Sequence, residues 1–482
     1  IMNKYDAIVI GAGATGLLAA LTLSKHGKKV LVLEKNNQVG GNCNSYDVDG
    51  FQVDTGPHAI THLKAGPLKR LMENYFDYLP VFEDYGNYFV RTERNFLKVP
   101  SNLKEFAVFD ALPRKDRLLI AQTLTKELTL STFGVDLSKK SVYDALPKTL
   151  STDSYNFVDA ISHFLSGKSM KETSVHRILT GSSFVRDSIT QAQFASIVSK
   201  PDRPPVESIL QSIIPANYHN QLQLRFNSVS SQFSSLGRLA TNKANYSQGY
   251  PRKGLKALLN AILYSLPDSV DIKTESKAKK ILVENNQVTG VESDEIYLAD
   301  IVIHTGFVKH LPELVQDLPH NYIEELDGIV NSKSLTVWLG LDETRKEFNY
   351  RGSEIWFKDN AYWAMPISNY DPTLAPPGKQ LVGFAFAIDD SSPEKKEIKK
   401  AHETIYKVVP DIQDHVEMQH DQVTIPEKAA VTINGHFAGI RTPVRNLYVA
   451  GTDTDSRSMG VTRAAYSIIE MLRILNEDSN LH

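Results

Sequence analysis

The chain opens on a short apolar run at residues 6–10, rich in β-branched residues, which predicts a buried strand. A glycine loop follows. Residues 17–26 then carry apolar positions at helical spacing and end at Gly27, a helix C-terminal signal. Residues 30–33 form a second unbroken apolar run, short enough for an interior parallel strand. Together these pieces predict a β–α–β unit. From about residue 61 to 246 the texture changes. Glycines become few, Ser, Asn and Gln become frequent, and amphipathic stretches such as 116–128 predict a mainly helical region. Strand patterns return at 270–272, 278–284 and 287–292, with Glu284-Asn285-Asn286-Gln287 as a turn. Residues 299–304 predict another buried strand, and the alternation at 334–341 and 380–388 predicts more sheet, with Pro376-Pro377-Gly378 as a turn. A last apolar strand at 447–450 leads through a polar loop to a helix over 461–475.

With 482 residues the chain exceeds one typical domain, and 41% hydrophobic against 23% charged residues is an ordinary globular composition. The net charge of −3 provides no basic field, so a nucleic-acid partner is not expected. The single cysteine, Cys43, excludes an intramolecular disulfide, a CxxC redox pair and a thiolate zinc cluster. None of the 14 histidines stands in an HExxH spacing, so no metal is expected. The apolar stretch at 7–23 is interrupted by Gly11, Gly13 and Gly16, and no run of about 20 apolar residues occurs. The expectation is a cytoplasmic protein.

The motif Gly11-Ala12-Gly13-Ala14-Thr15-Gly16 lies between the first strand and the first helix, the context a dinucleotide-binding loop requires. Gly11 permits the tight turn, Gly13 lets backbone approach a pyrophosphate, and Gly16 allows close helix–strand packing. The helix N-terminus at Ala14 and Thr15 offers N–H groups and a positive dipole end to phosphate. Glu34 closes the second strand, where a carboxylate can accept from a ribose 2′-hydroxyl and would repel a 2′-phosphate. No second glycine fingerprint is placed to hold a nicotinamide cofactor.

Lys35, the pair Gly40-Gly41 with Asn42, and then Asp54, Gly56, Pro57 and His58 follow. On these residues, the stretch 6–58 resembles the N-terminus of the flavoproteins that include phytoene desaturases, amine oxidases and protoporphyrinogen oxidases. The resemblance implies non-covalent FAD, lined by the fingerprint loop, Glu34, Lys35, Gly40, Gly41, Asn42, Gly56, Pro57 and His58. Where a basic residue is common after the glycine pair, this chain has Asn42-Cys43-Asn44, which leaves those contacts to Asn and backbone groups. Residues 249–255 resemble the phytoene-desaturase-type P-x-G-G helix entry, with Lys253 where a Gly is usual. The strand pair after it implies that Ala278 meets the adenine through its backbone.

Pro366, Ser368, Asp371, Pro372, Thr373, Ala375, Pro376 and Gly378 fit a pattern associated with phytoene-desaturase-related proteins; physically it is a rigid turn. The C-terminal Leu447-Tyr448-Val449-Ala450-Gly451-Thr452-Asp453, with Gly460 and Val461, resembles the flavin-closing motif. It implies that Asp453 reaches the ribityl or pyrophosphate region and that the helix opening at Gly460 faces the flavin pyrimidine end. Its dipole there suits the negative charge of a reduced flavin. Arg463 is either a cofactor contact or a solvated or ion-paired residue.

The expected fold is α/β, with a Rossmann-type FAD-binding domain from 1–75, 245–310 and 430–482. A discontinuous substrate domain follows, helical over 76–244 and sheet-like over 311–429. The resemblance implies an FAD-dependent oxidoreductase that desaturates, saturates or isomerises an apolar isoprenoid or polyene by hydride transfer at flavin N5. A flavin amine oxidase, a protoporphyrinogen oxidase-like enzyme and a non-catalytic FAD-bound lipid carrier remain as alternatives. His58 is the candidate for proton transfer beside the ring, and bracing its loop is the competing role. An apolar substrate is expected as partner, with peripheral membrane contact through 106–130, where Arg114, Lys115 and Arg117 mix with apolar residues.

Overall fold

A computed structural model describes residues 4–56, 58–101, 103–181, 188–199, 248–389 and 391–482. Pro57 lies outside the described residues, as do residues 182–187 and 200–247 of the stretch on which a helical region was expected. The chain begins with β1 (Lys4–Ile10), the helix Ala14–Lys25 and β2 (Val30–Leu33). A hairpin of β3 (Ser45–Val48) and β4 (Phe51–Asp54), the short β5 (Ile60–Thr61), the helix Pro67–Tyr75, and β6 (Phe82–Asp84), β7 (Asn87–Arg91) and β8 (Phe96–Lys98) follow. The helices Arg114–Thr132 and Thr152–Ser166 dominate the next region. Then come β9 (Gln248–Pro251), the helix Leu255–Tyr264, β10 (Val270–Lys273), β11 (Lys280–Glu284), β12 (Gln287–Glu292) and β13 (Ile296–His304). The remainder is β14 (Ser334–Leu341), β15 (Gly352–Trp356), β16 (Tyr362–Met365), β17 (Gln380–Ala387), the helix Glu394–Val408, β18 (Val416–Thr424), β19 (Leu447–Val449) and the helix Gly460–Glu477.

The first sheet has the order β10-β2-β1-β13-β12-β11, and the C-terminal end of β13 also pairs with β19. Pairs β10–β2, β2–β1, β1–β13 and β13–β19 are parallel; β11 and β12 add an antiparallel edge. Parallel strands are covered on both faces, which is why β2 is apolar at every position. Ala7, Val9, Val30 and Val32 pack beneath Leu17, Leu21, Ile468 and Leu472, whereas Ile8, Leu31 and Leu33 pack beneath Val308, Leu311 and Tyr322. Asn285 and Asn286 both have positive φ, 51° and 59°, so the β11–β12 turn twists with its strands.

The second sheet has the order β18-β14-β17-β16-β15-β7-β8 and is antiparallel except at β15–β7. The helix Glu394–Val408 covers one face through Ile405 and Ala401. At the other end Val90, Ile355 and Trp363 pack against Phe109, Leu112, Ile120 and Phe157 of the helical region. Strands β6 to β8 depart from the mainly helical expectation for this stretch. Each is three to five residues long and largely half-exposed, so no long alternation marks them in the sequence. Pairing with distant β9 and β15 is what makes them strands.

Candidate functional site

β1 and β2 fix the fingerprint loop between them. Gly11 turns with φ +103° and donates its N–H to Leu33 O at 2.8 Å. A Cβ on Gly16 would stand 1.9 Å from Gly11 O, so only glycine lets the helix approach the loop this closely. Gly13 precedes the helix as an N-cap with no side-chain cap, which leaves first-turn N–H groups at Ala14 and Thr15 for a ligand. A Cβ on Gly13 would meet nothing within 4 Å, the open approach that a pyrophosphate needs. Gly40 closes on this loop, donating its N–H to Ala12 O at 2.7 Å, and Gly41 lies against Gly13.

Glu34 is buried at the end of β2. Its Oε2 accepts from Ala12 N–H at 2.8 Å and its Oε1 from Asn36 N–H at 2.9 Å, so the carboxylate also tightens the loop it serves. The neighbouring Lys35 is exposed. Ser276 N–H donates to Glu34 O at 2.8 Å and Glu275 N–H to Asn36 O at 2.9 Å. This zips the stretch leading to Ala278, which is buried between β10 and β11, alongside the acid.

A cavity of about 600 Å³ extends from Asn42 and the Gly56 loop, just past the glycine pair, into the second sheet. Asn42, Gly56, His58, Gly460 and Val461 line one end. Tyr85, Tyr88, Phe164, Ile355, Trp363, Met365 and Phe386 line the other. His58 Nε2 lies 2.7 Å from Thr55 O, so Nε2 carries the proton and Nδ1 is the acceptor of the neutral ring. That Nδ1 would be 3.9 Å from a Cβ on Gly460, which sets the ring between the Gly56 loop and the closing helix. Asn42 donates its side-chain amide to Ile425 O at 2.7 Å.

Several buried polar residues near the site are held by contacts within the protein. Asp54 is fully buried and accepts from Ser45 Oγ, from Tyr250 OH at 2.6 Å and from Leu255 N–H at 3.1 Å, capping the helix Leu255–Tyr264. Burial raises its carboxyl above the usual range, and those hydrogen bonds pull it back. Asp371 accepts from Thr373 N–H and from Lys253 N–H, and Ser368 Oγ accepts from Leu381 N–H, so the proline-rich pattern is held as a turn. Asp453 is buried, and its Oδ2 accepts from Val308 N–H at 2.8 Å. Burial raises Asp453, opposed by the nearby Lys428 ammonium, which itself donates to Thr305 O and Gly306 O. A Cβ on Gly451 would stand 2.8 Å from Asp453 Oδ1 and 3.2 Å from Lys428 Nζ. Arg463 is buried and donates to the carbonyls of Ser458 and Ala429, with Glu427 Oε2 3.0 Å from Nη1. It is an ion-paired residue of the scaffold.

The sequence did not single out Glu427, Lys428, Tyr85 or Tyr88. Glu427 and Lys428 occupy a linker after Pro426, and no local pattern marks them. The two tyrosines gain their place only when β7 joins β15. Trp338, Trp356 and Tyr362 belong to the core, whereas Trp363 lines the cavity. Among the described residues no group of His, Cys, Asp and Glu is arranged to hold a metal ion.

An open Gly13, a carboxylate at the end of β2 and a helix N-terminus facing the cavity fit a dinucleotide that carries a planar ring. The family model for flavin-containing amine oxidoreductases matches residues 14–467. The chain belongs to this family. It is an FAD-dependent oxidoreductase. An oxidoreductase from Methanosarcina mazei shares the fold with TM-score 0.72 and 20% identity, over 96% of this chain and 98% of that one. All-trans-retinol 13,14-reductase of Rattus norvegicus is 34% identical over 112 residues, 22% of this chain and 17% of that enzyme. The 4,4′-diapophytoene desaturase of Staphylococcus aureus is 37% identical over 102 residues, 20% of each chain. These two similarities therefore cover only about a fifth of either enzyme's length.

Proposed function

We propose that this oxidoreductase acts on carbon–carbon bonds of an apolar isoprenoid or polyene. The observation that carries the reading is the cavity wall. Beyond the cofactor end it is built from Tyr88, Phe164, Leu165, Ile355, Trp363, Met365 and Phe386, with Phe164 stacked on Trp363 at 5.1 Å between centroids. A wall of this kind gains free energy by taking apolar surface out of water. An ammonium substrate would be held by a buried, unpaired carboxylate or by an aromatic cage. Among the described lining residues the carboxylates are Asp84, which is exposed, and Glu427, which already pairs with Arg463, so no buried carboxylate is free there for an ammonium. When bound, FAD supplies hydride acceptance or donation. The chain's own part is to hold the substrate against that end, exclude water, and offer His58 Nδ1 as a proton acceptor. The similarity to a retinol reductase and a diapophytoene desaturase supports the same substrate class.

Anaerobic mixing tests the reading. Oxidised holoenzyme should lose its visible flavin absorption with 4,4′-diapophytoene, or reduced holoenzyme should regain it with all-trans-retinol, with the matching product seen by mass spectrometry. Oxidation of a primary amine or a porphyrinogen, with both polyenes unchanged, would overturn it.

Peripheral membrane access belongs to the same proposal, because such substrates partition into lipid. Among the described residues no helix is long and apolar enough to cross a membrane. Val108, Leu118 and Phe133 are exposed at 73%, 54% and 77%, and Leu118 follows the exposed Arg114 and Lys115 by four and three residues on one helix, an apolar and basic pairing suited to an anionic bilayer. Arg117, expected on that surface, is buried and pairs with Asp110 instead, because its helix turns it toward the core. Flotation with anionic liposomes should carry the protein upward, and protein left wholly at the bottom of the gradient would refute membrane access.

A further inference from the structure

The linker from β18 to β19 brings a carboxylate, Glu427, to the first turn of the closing helix. Its backbone is pinned on both sides: Glu427 N–H donates to Ser332 Oγ at 3.2 Å, and Glu427 O accepts from Ser332 N–H at 3.0 Å. The side chain is buried and lines the cavity with Gly460, Val461 and His58. Oε1 accepts from Gly460 N–H at 2.5 Å. Oε2 lies 3.0 Å from Arg463 Nη1 without a well-directed hydrogen bond, because the guanidinium directs its N–H groups at the carbonyls of Ser458, Ala429 and Thr452. The attraction between the two side chains is therefore one of charge more than of direction. Val461 and Thr462, the next residues of the helix, have N–H groups that no hydrogen bond among the described residues engages. The helix N-terminus thus divides its donors: the first goes to Glu427, and the next two have no acceptor among the described residues.

We propose that Glu427 sets the reduction potential of the bound FAD. Reduction places negative charge at the flavin's pyrimidine end, and the helix N-terminus by itself favours that charge. Glu427 opposes it from within the same turn, in a buried setting where charges act strongly on each other. Arg463 offsets Glu427, but its carbonyl contacts hold it in place. Removing the carboxylate charge therefore leaves the guanidinium unopposed at the helix N-terminus that would face the bound FAD. Glu427 is a positioning residue here, acting on the FAD's charge balance through the helix N-terminus. The proposal concerns FAD alone and stands or falls independently of the substrate.

The test is the midpoint potential of holoprotein without substrate, in an anaerobic dye-coupled titration, together with the Kd for oxidised FAD. Glu427→Gln keeps an acceptor for Gly460 N–H and removes the charge. Reduced FAD should gain at least tenfold in affinity relative to oxidised FAD, an upward shift of about 30 mV for a two-electron couple. Glu427→Asp keeps the charge and should remain near the wild-type potential. A purely structural residue would weaken both redox forms alike and leave the potential unmoved. Should Glu427→Gln fail to retain FAD, Glu427→Ala is read in the same titration against the same expectation. A shift of less than twofold in the affinity ratio, in whichever variant retains FAD, overturns the proposal.

Discussion

Glu34→Gln is the most direct probe of the cofactor loop. The native carboxylate accepts from two backbone N–H groups, Ala12 at 2.8 Å and Asn36 at 2.9 Å, and its remaining lone pairs would be those that accept from a bound ribose. An amide has one acceptor oxygen, and its NH2 group must face one of those two N–H donors. The variant therefore loses one hydrogen bond to a charged group, worth about 1.5–3 kcal/mol, and leaves a buried N–H unmatched. If Ala12 is the donor abandoned, the fingerprint loop loosens where the pyrophosphate must approach. Losing the charged acceptor for the ribose costs a similar amount, so FAD affinity should fall roughly tenfold to a hundredfold. Equilibrium dialysis with flavin fluorescence measures this directly, and amide exchange over the loop reports the loosening. A Glu34→Gln protein whose Kd for FAD stays within twofold of wild type would refute the assignment, and unchanged exchange at both Ala12 and Asn36 would refute the bracing role.

Gly16→Ala should abolish FAD binding while leaving the second sheet folded, because its Cβ would lie 1.9 Å from a backbone oxygen that cannot move aside; FAD titration with circular dichroism checks both halves. His304 is buried at the end of β13, and burial holds its pKa down to about 4 from 6.5. The stability it supports is complete above pH 6.5 and is lost as pH falls from 6.5 toward 4, by about 3 kcal/mol. Denaturant titrations from pH 7 to 4.5 should show a flatter pH dependence for His304→Gln than for wild type, and parallel curves would contradict this. Lys253 sits at φ +68° while its backbone N–H and O bond to Asp371 and Gln52. Lys253→Gly keeps both bonds and relieves the left-handed conformation, so it should stabilise by about 0.5–1 kcal/mol by chemical denaturation, after the entropy gained by the unfolded chain.

The features legible in the sequence are those whose physics is local. A glycine required by a turn, as at Gly11 and Gly16, is required by atoms a few residues away, and the parallel strands β1 and β2 announce themselves because both of their faces are covered. The helix that starts at Gly460 and the turn at Gly378 were equally readable. β18 was not, since Glu417 and Gln419 are exposed and Asp421 pairs with His402 of the covering helix, which breaks its apolar pattern, while only Met418 and Gln422 of the strand are buried. Asp54 illustrates the remaining difficulty. In the motif it stands beside cofactor-lining residues, but its carboxylate is satisfied by Tyr250 and Leu255, which lie almost two hundred residues away in the chain. Glu427 meets Gly460 and Arg463 for the same kind of reason: β18 pairs with β14, β19 pairs with β13, and the linker between them has to cross the closing helix. The sequence by itself determined the cofactor loop and the layers that carry it, because backbone sterics and apolar periodicity act over a few residues. The walls of the cavity and the charges beside the cofactor were decided only by strand pairing between remote segments, because a side chain's environment there is made of atoms the local sequence does not contain.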